Sequence, residues 1–289
     1  MGAPVNNWQP INMLKTRLIT SFVLILAFVA TFIYLPPLYW GLLMLAVVSI
    51  SAWEWAGMSK FNQPARLIYS GIVVLLGLVL FFYSPQLMQL VTVWAVLISA
   101  IFWLLVVPVL LICTVQINNR WIMGLLGLIT IIPFGLSVIT LREINPLLLV
   151  VFAMTVWIAD SAAYFAGKRF GQRKLAPSIS PGKTWEGVLG AWLATTAYAF
   201  LLSYLTHQSY WFVLIFWGVM VLSIMGDLFE SLIKRQAGVK DSSNLLPGHG
   251  GVLDRIDGLT SSLPLVMFLL TLPIYYNLYL YIKAVVFHA

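Results

Sequence analysis

The chain has 289 residues, of which 61% are hydrophobic and 9% are charged. Soluble domains carry about 25% charged residues, so this composition leaves too little polar surface to face water. One cysteine, Cys113, excludes an intramolecular disulfide framework and a cysteine-based metal cluster. The net charge of +7 does not mark a nucleic-acid binder, because the basic residues flank apolar runs and read as loop retention and attraction to anionic headgroups.

Apolar runs of roughly 20 residues recur, long enough to cross a hydrocarbon core of about 30 Å, and they do not alternate as barrel strands would. The predicted fold is all-α: a polytopic integral membrane protein with about nine transmembrane helices. Leu18 to Leu35 is longer than a signal-peptide core and reads as a first span, broken by Pro36-Pro37. Further spans are predicted at Leu38–Met58, Leu67–Tyr83, Leu87–Cys113 (with a kink at Pro108) and Trp121–Leu141. After Arg142–Pro146 come Leu147–Gly167, Gly187–Thr206, Tyr210–Phe229 and Leu259–Ile282. Residues 1–146 form an N-terminal helical region of about five spans. Residues 147–289 form the catalytic region, with polar loops at 168–186 and 230–258. No strong internal repeat is evident, which argues against an inverted-repeat transporter.

Nine spans put the termini on opposite sides, and the excess of Lys and Arg in cytoplasmic loops chooses which. With the N-terminus inside, the inside segments hold Lys15, Arg17, Lys60, Arg66, Arg120, Lys168, Arg169, Arg173, Lys174, Lys183, Lys234, Arg235, Lys240 and Arg255. Only Arg142 and Lys283, of 16 basic residues, fall outside. Both long polar loops are therefore expected in the cytoplasm, with the C-terminus opposite.

Chemistry concentrates between Gly226 and Gly258, where five of the nine acidic residues fall: Asp227, Glu230, Asp241, Asp254 and Asp257. Asp227, Glu230, Ser231 and Lys234 share one helical face by their spacing; Glu230 and Lys234 also fit an ordinary helix ion pair. Asp227 follows an apolar run directly, and a carboxylate so near the hydrocarbon boundary is costly unless it is paired or holds a metal. Asp254 and Asp257 are three apart and share a face if a helix begins near Val252, where carboxylates also favour the helix dipole. Asp227, Asp254 and Asp257, with Arg255 and no cysteine or paired histidine, suit a hard cation such as Mg²⁺ rather than Zn²⁺. Mg²⁺ completes its shell with waters and phosphates, so these carboxylates hint at a phosphate-bearing substrate.

Pro247-Gly248-His249-Gly250-Gly251 reads as a turn that brings backbone N–H groups close to an anion. In the first polar loop, Ser178 to Gly187 contains Gly182-Lys183-Thr184, but the first glycine of a P-loop would fall on Pro177, and no parallel sheet is available. A Ser/Gly/Lys turn entering a helix remains, with Ser180 and Lys183 as candidate phosphate contacts. Asp160, inside the sixth span, is either functional or paired with a neighbouring helix.

Ser231-x-Ile233-Lys234-Arg235, four residues, Lys240-Asp241-x-Ser243, then Leu246-Pro247-x-His249-Gly250-Gly251-Val252-x-Asp254-Arg255-Ile256-Asp257 resembles the motif of the phosphatidate cytidylyltransferases, the CDP-diacylglycerol synthases. The 27 residues show no departure at a fixed position, and SPGKTWEG and GDLFES are also similar to that family. The similarity covers the C-terminal half; the first 140 residues match only in general character. The resemblance implies transfer of the cytidylyl group of CTP to phosphatidate, giving CDP-diacylglycerol and pyrophosphate, in the cytoplasmic (inner) membrane of a bacterium with the site facing the cytoplasm. It implies Asp227, Asp254 and Asp257 as Mg²⁺ ligands and as catalytic groups with Lys240 and Arg255. It further implies substrate binding by Ser180, Lys183, Ser231, Lys234, Arg235, Asp241, His249, Gly250 and Gly251. A second, monovalent cation and a homodimer come from the resemblance alone.

Two other classes compete. A transporter or channel would need polar residues spread through several spans, and the first five are nearly bare of them. A CDP-alcohol phosphotransferase would need further acidic residues after Asp254-Arg255-Ile256-Asp257-Gly258, and none follows.

Overall fold

A computed structural model describes residues 26–287. Most of the first predicted span lies outside them, although residues 26–34 are helical (α1). Then follow α2 (Pro37–Met58), α3 (Gln63–Tyr83), α4 (Pro85–Ile112), α5 (Arg120–Ile144) and α6 (Pro146–Phe170). A hairpin of β1 (Lys174–Ala176) and β2 (Ser180–Thr184) leads into α7 (Trp185–Thr206), and a single 3₁₀ turn precedes α8 (Val213–Ala237). The last helix is α9 (Leu253–Phe287). Among the described residues, eight helices are long and apolar enough to cross a membrane.

Polar residues at the ends of the apolar runs set the helix starts. The side chains of Asn62, Ser84, Asn119, Asn145 and Thr184 each accept a backbone N–H from the first turn of the helix that follows, satisfying donors that a helix leaves open. Within α4, a π-helical stretch at Phe102–Val106 stands just before Pro108. Proline has no N–H for the carbonyl four residues back, and the widened turn is the local accommodation where a kink was expected.

Two helix boundaries and one added hairpin differ from the sequence expectation. The predicted eighth span ends near Phe229, whereas α8 continues to Ala237 because Glu230, Ser231 and Lys234 are buried against neighbouring elements instead of entering solvent. It stops at Gly238, whose φ of +76° is a left-handed C-cap. The last helix starts at Leu253, six residues before its apolar run, so the second polar loop shrinks from 230–258 to 238–252. The hairpin adds a small sheet to an otherwise helical fold.

One buried cluster joins the N-terminal and C-terminal regions. Phe229 of α8 packs edge-on to Phe102 and Trp103 of α4, with centroids 5.5 Å apart in both pairs, and lies 6.0 Å from Trp55 of α2. Trp55 donates its indole N–H to the Met123 carbonyl at 2.7 Å. Side chains also tie the connecting segments together at one end of the molecule. Gln236 accepts from Ile117 N and donates to the Val115 carbonyl, the Phe61 ring packs at a tilt against Trp121, and Arg235 reaches the Ile179 carbonyl. At the opposite end, Arg142 donates to the carbonyls of Phe32 and Leu35 and sits over the Trp40 ring.

Candidate active site

The site begins with a close helix crossing. A methyl group at Gly226 of α8 would overlap Ser261 Oγ and lie 2.5 Å from the Asp257 carbonyl oxygen; one at Gly258 of α9 would lie 3.3 Å from Ser223 Cβ. Small residues let the backbones approach this way, and Ser261 Oγ donates to the Leu222 carbonyl at 2.7 Å across the contact. Each crossing glycine has an aspartate as its chain neighbour, so Asp227 and Asp257 come together on facing helices.

Two further charges join them. Lys183, near the end of β2, places Nζ 2.7 Å from Asp227 Oδ2 and donates to the Ile224 carbonyl. Asp160 of α6 lies within electrostatic reach of Asp227, Asp257 and Lys183. Ser231 Oγ donates to Asp227 Oδ1 at 3.3 Å, and Asp257 Oδ1 accepts the Gly258 N–H at 2.8 Å. Counting Glu230 and Lys234, which are also within electrostatic reach of Asp257, four carboxylates against two ammonium groups leave a surplus of negative charge at the ends of apolar helices, where unpaired charge is expensive.

Asp254 stands apart from that cluster. Its Oδ1 accepts Lys234 Nζ at 2.6 Å, while Oδ2 accepts Ser242 N, Ser242 Oγ and Gly251 N at 2.7–2.9 Å. Lys234 is also 3.1 Å from Glu230 Oε1, and its side chain is only 10% exposed. On the other side of the loop lies Glu54 of α2, which is fully buried. It accepts from Ser243 Oγ, Val252 N and Leu253 N at 2.6–2.9 Å, and it shares the single Ser242 hydroxyl proton, at 3.1 Å, with Asp254 Oδ2. Arg66, stacked 3.8 Å over Trp53, is a basic group within its electrostatic reach.

Above this network the 238–252 loop bounds a cavity of about 580 Å³, lined by Lys240, Asp241, Asn244, Leu246, Pro247, Gly248, His249, Gly250 and Arg255. Its volume is within the usual range of small-molecule sites. The turn closes through Leu246 N to Gly250 O (2.8 Å) and His249 N to Leu246 O (2.9 Å). Gly248 and Gly250 hold φ of +77° and +79°, a region costly for other residues. Lys240 and Arg255 are exposed, so their charges face the cavity rather than a buried partner.

The predicted site residues thus divide. Lys240, Asp241, His249, Gly250 and Arg255 line the cavity; Asp227, Asp257, Lys183 and Ser231 belong to the carboxylate cluster. Lys234, Asp254 and Gly251 are inside the buried network. Arg235 is bound to the carbonyls of Ile179 and Val239, and Ser180 opens β2, paired with Ala176. The expected grouping of Asp227, Asp254 and Asp257 is not reproduced as one cluster, because Lys234, Ser242 and Gly251 draw the Asp254 carboxylate into the loop. Sequence reasoning missed Glu54. It is a lone carboxylate inside a predicted span, the signal that singled out Asp160.

Among the described residues, no three His, Cys, Asp or Glu side chains enclose a metal by themselves. A hard divalent cation needs no such cage, since one or two carboxylates with water and phosphate oxygens suffice. Asp227 and Asp257 fit that requirement through their shared surplus of negative charge. Asp254, whose two oxygens already accept four hydrogen bonds, does not.

The chain is similar to known proteins over most of its length. A sequence model described as "Cytidylyltransferase family" matches residues 15–273. A phosphatidate cytidylyltransferase of Pseudomonas aeruginosa is 41% identical over 279 residues, covering 89% of this chain and 97% of that protein. One from Haemophilus influenzae is 37% identical over 281 residues, covering 87% and 96%. A third, from Bacillus subtilis, is 36% identical over 180 residues, covering 58% of this chain and 67% of that protein.

Proposed function

The chain belongs to the cytidylyltransferase family, and we propose that it transfers the cytidylyl group of CTP to phosphatidate, forming CDP-diacylglycerol and pyrophosphate. The observation that carries this reading is the Asp227–Asp257–Lys183 cluster at the ends of membrane-crossing helices, with Asp257 only two residues along α9 from Arg255 of the cation-lined cavity. One substrate is soluble and the other is held by its acyl chains, so the reaction needs a site at that boundary. The basic residues of the connecting segments favour placing this end in the cytoplasm, with the N-terminus on the same side.

The phosphate of phosphatidate is already anionic near neutral pH, so no protein base is required to create the nucleophile. Its oxygen attacks the α-phosphorus of CTP while the bond from that phosphorus to the bridging oxygen breaks and pyrophosphate departs. The work left to the protein is positioning and charge stabilisation. In this reading Lys240, Arg255 and His249 hold the triphosphate in the cavity, with the Gly248–Gly251 backbone close beside it. Lys183, partly exposed at the carboxylate cluster, offers its ammonium to the lipid phosphate. Asp227 and Asp257 would hold Mg²⁺, which when bound supplies neutralisation of the reacting phosphates.

The test is pyrophosphate release by the purified full-length protein in detergent with CTP and Mg²⁺, with and without phosphatidate. Release that requires the lipid, with CDP-diacylglycerol recovered, is the expected result. No release with phosphatidate, with CDP-diacylglycerol consumed in the presence of an alcohol acceptor, would replace the proposal by a CDP-alcohol transferase.

A further inference from the structure

The cavity loop has two polar anchors of different origin. Asp254 holds it from within the same segment, through Ser242 and Gly251. Glu54 holds it from a helix almost 200 positions earlier in the chain, through Ser242, Ser243, Val252 and Leu253. The two backbone donors stand at the start of α9, where helical N–H groups have no partner within the helix. Glu54 therefore acts as the N-terminal cap of α9, but from another helix. It binds both ends of the segment that presents Asn244 and His249 to the cavity, with Lys240 just before that segment and Arg255 just after it.

The fit is reciprocal. A side chain at Gly251 would overlap Ser242 Oγ and come within 2.5 Å of Glu54 Oε1. Gly251 is bare because the carboxylate and the serine occupy that space. A solvent-facing glutamate would impose no such constraint, and a carboxylate kept merely for helix stability would not need four donors from one remote loop.

We propose that Glu54 is a positioning residue for nucleotide binding: it fixes the 242–253 segment so that the cavity-lining cations converge on the triphosphate. The inference rests on the function proposed above. Its reach is specific, because Glu54 touches the cavity loop and not the Lys183–Asp227 cluster assigned to the lipid phosphate. A displacement of about 1 Å in a positioning group can cost on the order of 100-fold.

The experiment uses full-length protein in detergent and compares Glu54→Gln, Glu54→Asp and Ser243→Ala with the unmodified chain. KM and kcat are measured for CTP and phosphatidate separately, and hydrogen exchange is followed over residues 240–253. Glu54→Gln is expected to raise KM for CTP about tenfold or more, with KM for phosphatidate within about twofold, and to speed exchange at Val252 and Leu253. Glu54→Asp, which keeps the charge, is expected to recover part of the CTP affinity. Ser243→Ala removes one donor without uncovering the carboxylate and should show the same split at smaller size, even if Glu54→Gln does not fold. Unchanged exchange, or equal changes in KM for both substrates, would overturn the inference. If the unmodified protein releases no pyrophosphate, the proposed function fails, while the exchange data still decide whether Glu54 holds the loop.

Discussion

Lys234 and Asp254, 20 positions apart, form a buried 2.6 Å ion pair that joins the end of α8 to the start of α9. Both lie within a motif of phosphate-handling enzymes, yet neither charge faces the cavity. Removing Lys234 strands both Asp254 and Glu230, at a cost of about 3–5 kcal/mol, whereas removing Asp254 leaves Lys234 paired with Glu230 and costs less. Lys234→Met and Asp254→Asn should therefore each lower the melting temperature in detergent, with activity falling alongside. In a double-mutant cycle the two losses should be far from additive.

Asp227 and Asp257 should behave differently. They share a cluster with surplus negative charge, so Asp257→Asn relieves repulsion and is expected to leave the melting temperature unchanged or raised, while Asp227→Asn also breaks the partly exposed pair with Lys183 and should lower it only slightly. Turnover should be abolished, or should require much more Mg²⁺. A Mg²⁺ titration of activity beside a thermal melt separates these variants from those at Lys234 and Asp254.

Lys240 and Arg255 are exposed at the cavity, where truncation leaves no buried partner. Lys240→Ala and Arg255→Ala should keep stability within about 0.5 kcal/mol while raising KM for CTP. Steady-state kinetics at two salt concentrations checks this, because the remaining attraction of the site for the polyanion should be weaker.

Gly226→Ala tests the helix crossing. The added methyl meets the Asp257 carbonyl and Ser261, and overpacking of this kind costs about 1–3 kcal/mol. It also pushes apart the backbones that carry Asp227 and Asp257. A fall in melting temperature with loss of activity is expected, whereas Gly71→Ala on α3, which meets nothing within 4 Å, should be tolerated.

Hydropathy located the helices in the sequence because each helix must satisfy its own backbone in a membrane. Hydropathy alone stopped short of the boundaries at Ala237 and Leu253, and only the spacing of Asp227, Glu230, Ser231 and Lys234, and of Asp254 and Asp257, pointed to helix beyond the apolar runs. The cavity lining was legible from Lys240 to Gly250 because its glycines and cations are adjacent in the chain. The Glu230–Lys234 pair was legible from its spacing, whereas the contact of Lys234 with Asp254 was not, because it is made across the intervening loop. Glu54 carried a usable signal, a carboxylate in an apolar run, but its four donors lie far along the chain.

The cluster of Trp55, Phe102, Trp103 and Phe229 bears on how relatives of this chain can be recombined. A chimera joined near residue 146 would draw α2 and α4 from one parent and the cavity loop from another. Its aromatic rings would have to interlock across the junction, and the carboxylate next to Trp55 would have to meet foreign serines. The first half of the chain, for all its lack of recognisable motifs, is thus inherited together with the second.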